Sequence, residues 1–146
     1  MSQHFEIIVF TASERSYADA VLNEIDPEGL IKHRLYREHC VKLKKNLYSK
    51  DLRKINRDVS QIVLVDNCAA SFLCQPENGI PILAYNGEKD DRELLDLERY
   101  LLGIVKEQDL REVNRKVFKF DEYKYFGSWE EVVSNLYTRG KSKTYY

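Results

Sequence analysis

The apolar positions along the chain change period several times, and each change predicts a new element. Residues Phe5–Phe10 are rich in β-branched and aromatic side chains, which predicts a strand. A helical period follows, with Ser13 as its predicted N-terminal cap and Asp26–Gly29 as the turn that ends it. The apolar positions of this helix share one face, which is expected to be the core face: Tyr17, Val21, Leu22 and Ile25.

The middle of the chain returns to strand patterns. His33–Tyr36 and Ile80–Ala84 predict short strands, and Ile62–Asn67 predicts a buried strand that ends on two polar side chains. Val41–Ser49 contains Lys42, Lys44 and Lys45, and a basic, irregular, solvated loop is expected there.

Helical patterns return towards the C-terminus. A helix is predicted to begin at Asp90 or Asp91, and a final helix at Ser128, where Glu131 would complete a capping box. The first of these has apolar residues at core spacing: Leu94, Leu97, Leu101, Ile104 and Val105. The order β-α-β-β-α predicts an α/β fold with three layers around a mainly parallel sheet.

Composition excludes several classes of protein. The 146 residues fit one domain without internal repeats, and 43% hydrophobic with 32% charged residues is typical of a soluble globular protein. A net charge of -1 gives no general attraction to nucleic acid or to anionic membranes, so no nucleic-acid partner is expected. We expect no signal peptide or membrane segment, three free thiols at Cys40, Cys68 and Cys74, and a nuclear or cytoplasmic location.

Small polar motifs at the predicted strand ends suggest chemistry. Thr11 directly follows the first strand, where its hydroxyl and nearby backbone N–H groups could hold an anionic oxygen. Lys50, in YSKDL, could supply a fixed positive charge, and Asp66 and Asn67 offer oxygen ligands that suit Mg²⁺. Because the carboxyl ends of parallel strands meet at one crevice, these groups are expected to converge there. Together they could stabilise a transferring phosphoryl group.

A family resemblance rests on these same segments. FEIIVFTAS, RLYREHC, YSKDL, INRDVSQIVLVDN and SFLCQPENGIPI resemble the phosphatases that act on the C-terminal domain of RNA polymerase II, in the haloacid-dehalogenase superfamily. The small, NLI-interacting-factor-like branch is the most similar, and the resemblance covers roughly Phe5 to Arg111. It implies a single Rossmann-like phosphatase domain over residues 1–146, with residues 112–146 as a C-terminal extension.

The resemblance also implies an activity and site roles. Such phosphatases hydrolyse phosphoserine or phosphothreonine in proteins with Mg²⁺, through an aspartyl-phosphate intermediate. Thr11 then matches the hydroxyl that contacts phosphoryl oxygens, and Lys50 matches the lysine that neutralises developing charge. Asn67 is expected to reach the metal and Asp66 to orient the lysine or the metal's waters. Arg37 matches an arginine near the substrate phosphate.

One departure from the family is large. The nucleophile and general acid of the family lie in an Asp-x-Asp-x-Thr or Asp-x-Asp-x-Val strand upstream of the FTAS region, and no Asp-x-Asp occurs in these 146 residues. The first aspartate is Asp19, inside the helix that follows Thr11. We therefore expect one or more N-terminal strands of the sheet to be missing, Mg²⁺ binding to be weak or absent, and this chain alone to be inactive.

Two interpretations follow, with a third from another class. The chain is either a fragment of a phosphatase or a degenerate phosphatase that binds without catalysis. The joint retention of four site residues favours the fragment, because an idle site has no physical need to keep a buried lysine and carboxylate paired: Thr11, Lys50, Asp66 and Asn67. The alternative class is a binding subunit, because the mitochondrial presequence receptor of the inner-membrane translocase resembles the same family.

Other candidate residues are weaker. His39 lies one position from Cys40, but this spacing does not place the two side chains in the contact that a nucleophilic pair needs. The tyrosines of the C-terminal end are expected to pack locally: Tyr123, Tyr125, Tyr137, Tyr145 and Tyr146.

Overall fold

A computed structural model describes residues 1–119, and these form three helices and three pairs of strands. The helices are α1 (Arg15–Ile25), α2 (Glu93–Ile104) and α3 (Leu110–Phe118). The strands are β1 (Ile7–Phe10), β2 (Ile31–Leu35), β3 (Val41–Lys44), β4 (Leu47–Ser49), β5 (Leu64–Asp66) and β6 (Gly79–Pro81). The predicted helix at Ser128 and the C-terminal tyrosines lie outside the described residues.

The predicted α/β class and parallel pairing are confirmed, but the strands do not form one sheet. β1 pairs with β2 in parallel, and β5 pairs with β6 in parallel. Within residues 1–119 these are separate two-stranded sheets, and β1 and β5 each have one paired edge. The third pair, β3 with β4, is an antiparallel hairpin, so the expectation of an irregular loop over Val41–Ser49 was wrong.

Each parallel pair has its own hydrophobic cluster. The β1–β2 pair packs on α1 through Ala18, Leu22 and Tyr36, with Val9 and Ile31 partly buried beside them. The β5–β6 side has a larger cluster, built from Ile80, Tyr100, Leu101, Ile104, Leu110 and Phe118. A third, smaller cluster of Leu52, Leu64 and Phe72 also lies beside β5, so the buried core of residues 1–119 is divided into three clusters.

Two buried asparagines tie the β5–β6 side together. The Nδ2 of Asn78 donates to the carbonyls of Val59 and Ile62, both at 2.7 Å, which fixes the turn that leads into β5. In α3, the Oδ1 of Asn114 accepts from the Tyr100 hydroxyl at 2.6 Å, and its Nδ2 donates to the Gly79 carbonyl at 3.3 Å. The helix α3 therefore packs on this core and includes the first residues of the predicted C-terminal extension, 112–146.

The first helix confirms only Leu22 of its four predicted core positions. Ala18 and Leu22 are buried, but Tyr17, Val21 and Ile25 are exposed by 67%, 42% and 68%. Ser13 is not the cap either, because Glu14 occupies that position without a side-chain bond, and the Ser13 N–H donates to the Thr11 hydroxyl. The helix does end at Ile25, as the turn sequence predicted.

The second helix confirms most of its predicted core positions. Leu101 and Ile104 are buried and Leu97 packs against them, whereas Leu94 is 70% exposed. The Asp91 carboxylate accepts from the Glu93 N–H at 3.0 Å, so an aspartate does precede this helix, although the helix itself begins at Glu93.

Leu22 and Val21 are neighbours on α1 but differ in burial, so their substitution by alanine should have different effects on the free energy of unfolding. We expect Leu22→Ala to lower the free energy of unfolding by about 2 to 4 kcal/mol, because it opens a cavity in the α1 cluster. Val21→Ala, on the exposed side, should change it by less than about 0.5 kcal/mol. Urea unfolding followed by circular dichroism measures both, and equal losses would contradict the burial of Leu22.

Candidate phosphoryl-transfer site

A buried ion pair lies at the carboxyl end of β5. The Nζ of Lys50 contacts the Oδ2 of Asp66, and the two side chains are 11% and 8% exposed. The other oxygen of Asp66, Oδ1, accepts from the backbone N–H of Cys68 at 2.7 Å. Both carboxylate oxygens of Asp66 are therefore engaged, and the lysine charge is held in one place.

The backbone of Lys50 is fixed from the side of β5. Its N–H donates to the Ser71 carbonyl at 3.0 Å, in the turn that follows Asp66. The preceding residue, Ser49, is fully buried, and its hydroxyl donates to the same carbonyl at 3.3 Å. Lys50 is thus anchored to the segment that carries its partner, which limits the freedom of a normally flexible side chain.

Asp51 fixes the other side of Lys50. Its carboxylate caps the following 3-10 turn by accepting from the Arg53 N–H at 3.1 Å, and it also accepts from the Gln75 amide at 3.0 Å. The side chain of Arg53 contacts both oxygens, and this interaction holds the pKa of Asp51 well below its ordinary range. Asp51 was not among the predicted site residues, although an aspartate before a short turn is a common cap.

Thr11 directly follows β1 and begins the loop at the carboxyl end of the β1–β2 pair. Its N–H donates to the Leu35 carbonyl at 2.9 Å, which extends the β1–β2 ladder by one residue. Its hydroxyl oxygen accepts from the Ser13 N–H at 3.0 Å. A hydroxyl that accepts one hydrogen bond still has its own O–H to donate, so Thr11 keeps the donor that a phosphoryl oxygen requires.

Cys40 connects the two sides of the crevice. Its thiol donates to the Thr11 carbonyl at 3.7 Å, and it lies close enough to Lys50 and Asp66 for both charges to act on it. Burial raises the pKa of the Cys40 thiol, with Lys50 opposing the rise, so the thiol stays protonated near neutral pH. His39 does not activate it, because the Nδ1 of His39 accepts from the Tyr36 N–H at 2.9 Å.

Arg37 is attached to the Thr11 loop. Its Nε donates to the Ala12 carbonyl at 2.7 Å, and its Nη1 pairs with Glu14 at 2.7 Å. The side chains of this pair are 42% and 69% exposed, so the interaction is weak and an incoming anion can compete for the guanidinium. Asn67, directly after Asp66, is exposed at the same strand end.

The described residues do not complete a magnesium site. Asp66 and Asn67 are neighbours, but both oxygens of Asp66 already have partners. Among residues 1–119, no group of three or more His, Cys, Asp or Glu side chains is arranged to hold a metal ion. A small cation that keeps near-ideal octahedral geometry needs further oxygen ligands here.

The fold and site define a class, an α/β protein with a buried lysine–carboxylate pair at the carboxyl end of a parallel strand pair. A sequence model described as NLI interacting factor-like phosphatase matches residues 1–111, and the chain belongs to that family. No helix among residues 1–119 has the length and apolar character to cross a membrane.

Several phosphatase relatives are similar over most of this chain. A CTD small phosphatase-like protein 2 from Dictyostelium discoideum is 44% identical over 82% of the chain and 21% of its own length. A human CTD small phosphatase-like protein is 41% identical over 75% and 40%. CTD small phosphatase-like protein 3 from Caenorhabditis elegans is 41% identical over 84% and 43%. The chain therefore spans less than half the length of these curated relatives.

The buried ion pair predicts how its variants will behave. Lys50→Met should lower the free energy of unfolding by about 3 kcal/mol or more, because it leaves the Asp66 carboxylate buried without its cation. The double variant Lys50→Met/Asp66→Leu should recover much of this loss, since both charges are removed together. Urea unfolding of the two variants measures the effect, and an unchanged stability of Lys50→Met would show that the pair is not buried in solution.

Asp51 predicts a specific contribution to acid sensitivity. Because its pKa is lowered in the folded state, its stabilising effect is present above the unfolded-state pKa of about 4 and is lost as pH falls below it. We expect Asp51→Asn to be less stable than the parent at pH 7 and to lose less stability between pH 5 and pH 3. Parallel loss in parent and variant, measured by urea midpoints, would mean that Asp51 has an ordinary pKa.

Proposed function

We propose that this chain supplies the charge-stabilising part of a Mg²⁺-dependent protein serine/threonine phosphatase, of the type that acts on the C-terminal domain of RNA polymerase II. The observation that supports this most directly is the buried Lys50–Asp66 pair at the end of β5. A lysine that is desolvated and fixed by a carboxylate is an efficient stabiliser of charge that develops in a transition state. We further propose a nuclear or cytoplasmic location.

The proposed roles follow the geometry of the crevice. The Lys50 ammonium neutralises charge on the transferring phosphoryl group, and Asp66 holds it in position. The Thr11 hydroxyl donates to a phosphoryl oxygen from the other side. Arg37, attached to the same loop by the Ala12 carbonyl, binds the substrate phosphate as it exchanges its exposed pair with Glu14.

The reaction needs a carboxylate beyond the described crevice residues. In the proposed reaction a carboxylate attacks phosphorus, the seryl oxygen leaves with a proton from a second carboxylic acid, and water then hydrolyses the acyl phosphate. Asp66 does not fit the role of the nucleophile, since both of its oxygens are engaged. The Cys40 thiol does not fit either, because its raised pKa keeps it protonated.

The sheet offers a place for this carboxylate. Among the described residues, β1 and β5 each have one unpaired edge, and their two pairs have separate cores. A parallel strand between β1 and β5 would pair with both and would end at the edge where Thr11 and Asp66 lie. We propose that an Asp-x-Asp-x-Thr strand occupies this position and supplies both carboxylates.

The same strand would complete the metal site. When bound, Mg²⁺ neutralises phosphoryl charge and orients the reacting groups. Asp66 and Asn67 alone do not provide a sufficient ligand set, so an added carboxylate is required before the ion is held. The alternative function, a non-catalytic binding subunit similar to the mitochondrial presequence receptor, needs neither the strand nor the metal.

Activity should therefore depend on the added strand. The 146-residue chain is expected to release no phosphate above background from a phosphoserine peptide with Mg²⁺, while the chain extended by a family-type Asp-x-Asp-x-Thr strand should be active. In the extended chain, Lys50→Ala should lower kcat by about a hundredfold to a thousandfold. Lys89→Ala, which removes an exposed lysine elsewhere, serves as the matched control.

The controls separate the proposed function from its alternatives. Loss of all activity on replacing the first aspartate of the added strand by asparagine would identify it as the nucleophile. Robust activity of the 146-residue chain, abolished by Lys50→Ala, would show that another residue attacks phosphorus. A folded but inactive extended chain would favour the binding subunit.

Magnesium affinity provides an independent measurement. Calorimetric titration of the 146-residue chain should show no binding tighter than the millimolar range, because two adjacent side chains rarely dehydrate this ion. The extended chain should bind more tightly, and Asn67→Ala should weaken that binding. Tight binding by the 146-residue chain would show that the ligand set is larger than Asp66 and Asn67.

A further inference from the structure

The β3–β4 hairpin carries a concentrated positive charge. Residues 41–50 contain four lysines and no acidic residue, although the whole chain has a net charge of -1. Lys50 is paired with Asp66, but no salt bridge within residues 1–119 involves the other three, which are Lys42, Lys44 and Lys45. All three are exposed, so the hairpin presents uncompensated charge to solvent.

The hairpin extends from the rim of the crevice. Val41 pairs with Ser49 at its base, and the residues just outside this pair are Cys40 and Lys50, which both belong to the crevice. At the other end, Asn46 adopts a left-handed conformation with a φ of 61°, which asparagine tolerates in tight turns. β3 therefore begins at the site and leads away from it, and β4 returns to it.

One face of the hairpin continues the cationic surface of the crevice. Lys42 lies directly across from Tyr48, and the Arg37 guanidinium lies 5.7 Å from the centre of the Tyr48 ring. Arg37 in turn is bound to the Ala12 carbonyl beside Thr11. Arg37, Tyr48 and Lys42 thus form a row from the Thr11 loop onto the hairpin, and Lys44 and Lys45 lie further out at its tip.

From this arrangement we propose that the β3–β4 hairpin is a substrate-selecting arm that binds acidic side chains near the phosphorylated residue. The proposal rests on the proposed phosphatase function. A strand of four residues spans about 13 Å, so an extended peptide lying along the hairpin would meet it over about four residues. Acidic side chains two to four positions from the phosphorylated residue would then lie opposite Lys42, Lys44 and Lys45.

An acidic peptide suits this surface better than a nucleic acid. Exposed carboxylates lie at the Arg37 end of this row: Glu14 pairs with Arg37, Glu38 directly follows Arg37 in the sequence, and their side chains are 69% and 51% exposed. These carboxylates oppose a long polyanion but leave room for a few separate acidic side chains. The Tyr48 ring, with Arg37 over one face, does not form an open platform on which successive bases could stack.

The test compares peptides that differ only in the flanking charge. Fluorescein-labelled phosphoserine peptides carry three aspartates, or three asparagines in the same places, at positions two to four on one side of the phosphoserine. Separate pairs cover the N-terminal and C-terminal sides. Fluorescence anisotropy at 150 mM salt measures their Kd for the 146-residue chain. The triple variant Lys42→Gln/Lys44→Gln/Lys45→Gln is matched by Lys32→Gln/Lys89→Gln/Lys106→Gln, which removes the same charge elsewhere.

The proposal predicts a selective loss. The hairpin triple variant should raise the Kd of the aspartate peptide by about tenfold on the favoured side, since each exposed pair contributes little by itself. The Kd of the asparagine peptide should change by less than about twofold, and the matched control should change both by less than about twofold. Circular dichroism of each variant verifies the fold.

Several results would overturn the proposal. The first is an equal rise in the Kd of the aspartate peptide in the two triple variants. The second is an equal rise in the Kd of both peptides in the hairpin variant. The third is an equal Kd of the parent chain for the aspartate and asparagine peptides. Tighter binding of a single-stranded oligonucleotide, lost in the hairpin variant, would assign the surface to nucleic acid. Unphosphorylated peptides and the Lys50→Gln variant test the phosphate site separately from the hairpin. A Kd that is the same with and without the phosphate would contradict the proposed function. The difference in Kd between the aspartate and asparagine peptides reports on the hairpin alone.

Discussion

The buried contact between Lys50 and Asp66 is the interaction around which this structure is organised. Removing an ammonium and a carboxylate from water costs several kcal/mol for each ion, and the cost is recovered only if both are fixed in good geometry. The neighbouring residues provide this geometry: Ser49 and Asp51 fix the backbone on either side of the lysine, and the Cys68 N–H satisfies the remaining oxygen of Asp66. The parallel β5–β6 pair then sets where the carboxylate lies.

The Lys50–Asp66 pair and its neighbours join the β1–β2 part of the molecule to the β5–β6 part. The β1–β2 pair contributes the Thr11 loop with Arg37, and the β5–β6 pair contributes Asp66 with Lys50. The Cys40 thiol contacts the Thr11 carbonyl and lies within the electrostatic influence of Lys50 and Asp66. Glu6, just before β1, forms a bidentate ion pair with Arg57, in the segment before β5. The halves therefore meet at both ends of β1, through Cys40 near Thr11 and through Glu6 at the start, although their strands do not pair within residues 1–119.

The residues at the strand ends could be predicted from the sequence, but which helix face is buried could not. Polar residues after apolar runs identified Thr11 and Asp66, because strand direction fixes where such residues lie. On α1, two adjacent rows of residues follow the same helical period. The buried row contains Ala18, whose small side chain lets the helix pack closely on the β1–β2 pair. The β3–β4 hairpin was missed although Val41–Lys44 alternates apolar and basic residues, because the lysines were taken to indicate a solvated loop. Asp51 was missed although its main partner, Arg53, is two residues away, because part of its binding comes from the distant Gln75. The division of the strands into separate pairs also could not be predicted, because the sequence pattern does not show which strands pair with each other.

We propose that the two parallel strand pairs are halves of one sheet, and that the Lys50–Asp66 pair accepts a carboxylate from a strand inserted between them. A crystal structure of the chain extended by an Asp-x-Asp-x-Thr strand tests this directly. The account predicts that the added strand hydrogen-bonds to both β1 and β5 and that its first aspartate faces the Lys50 ammonium, with the Lys50–Asp66 contact retained. A structure in which β1 pairs directly with β5, or in which the added strand lies elsewhere, would contradict it.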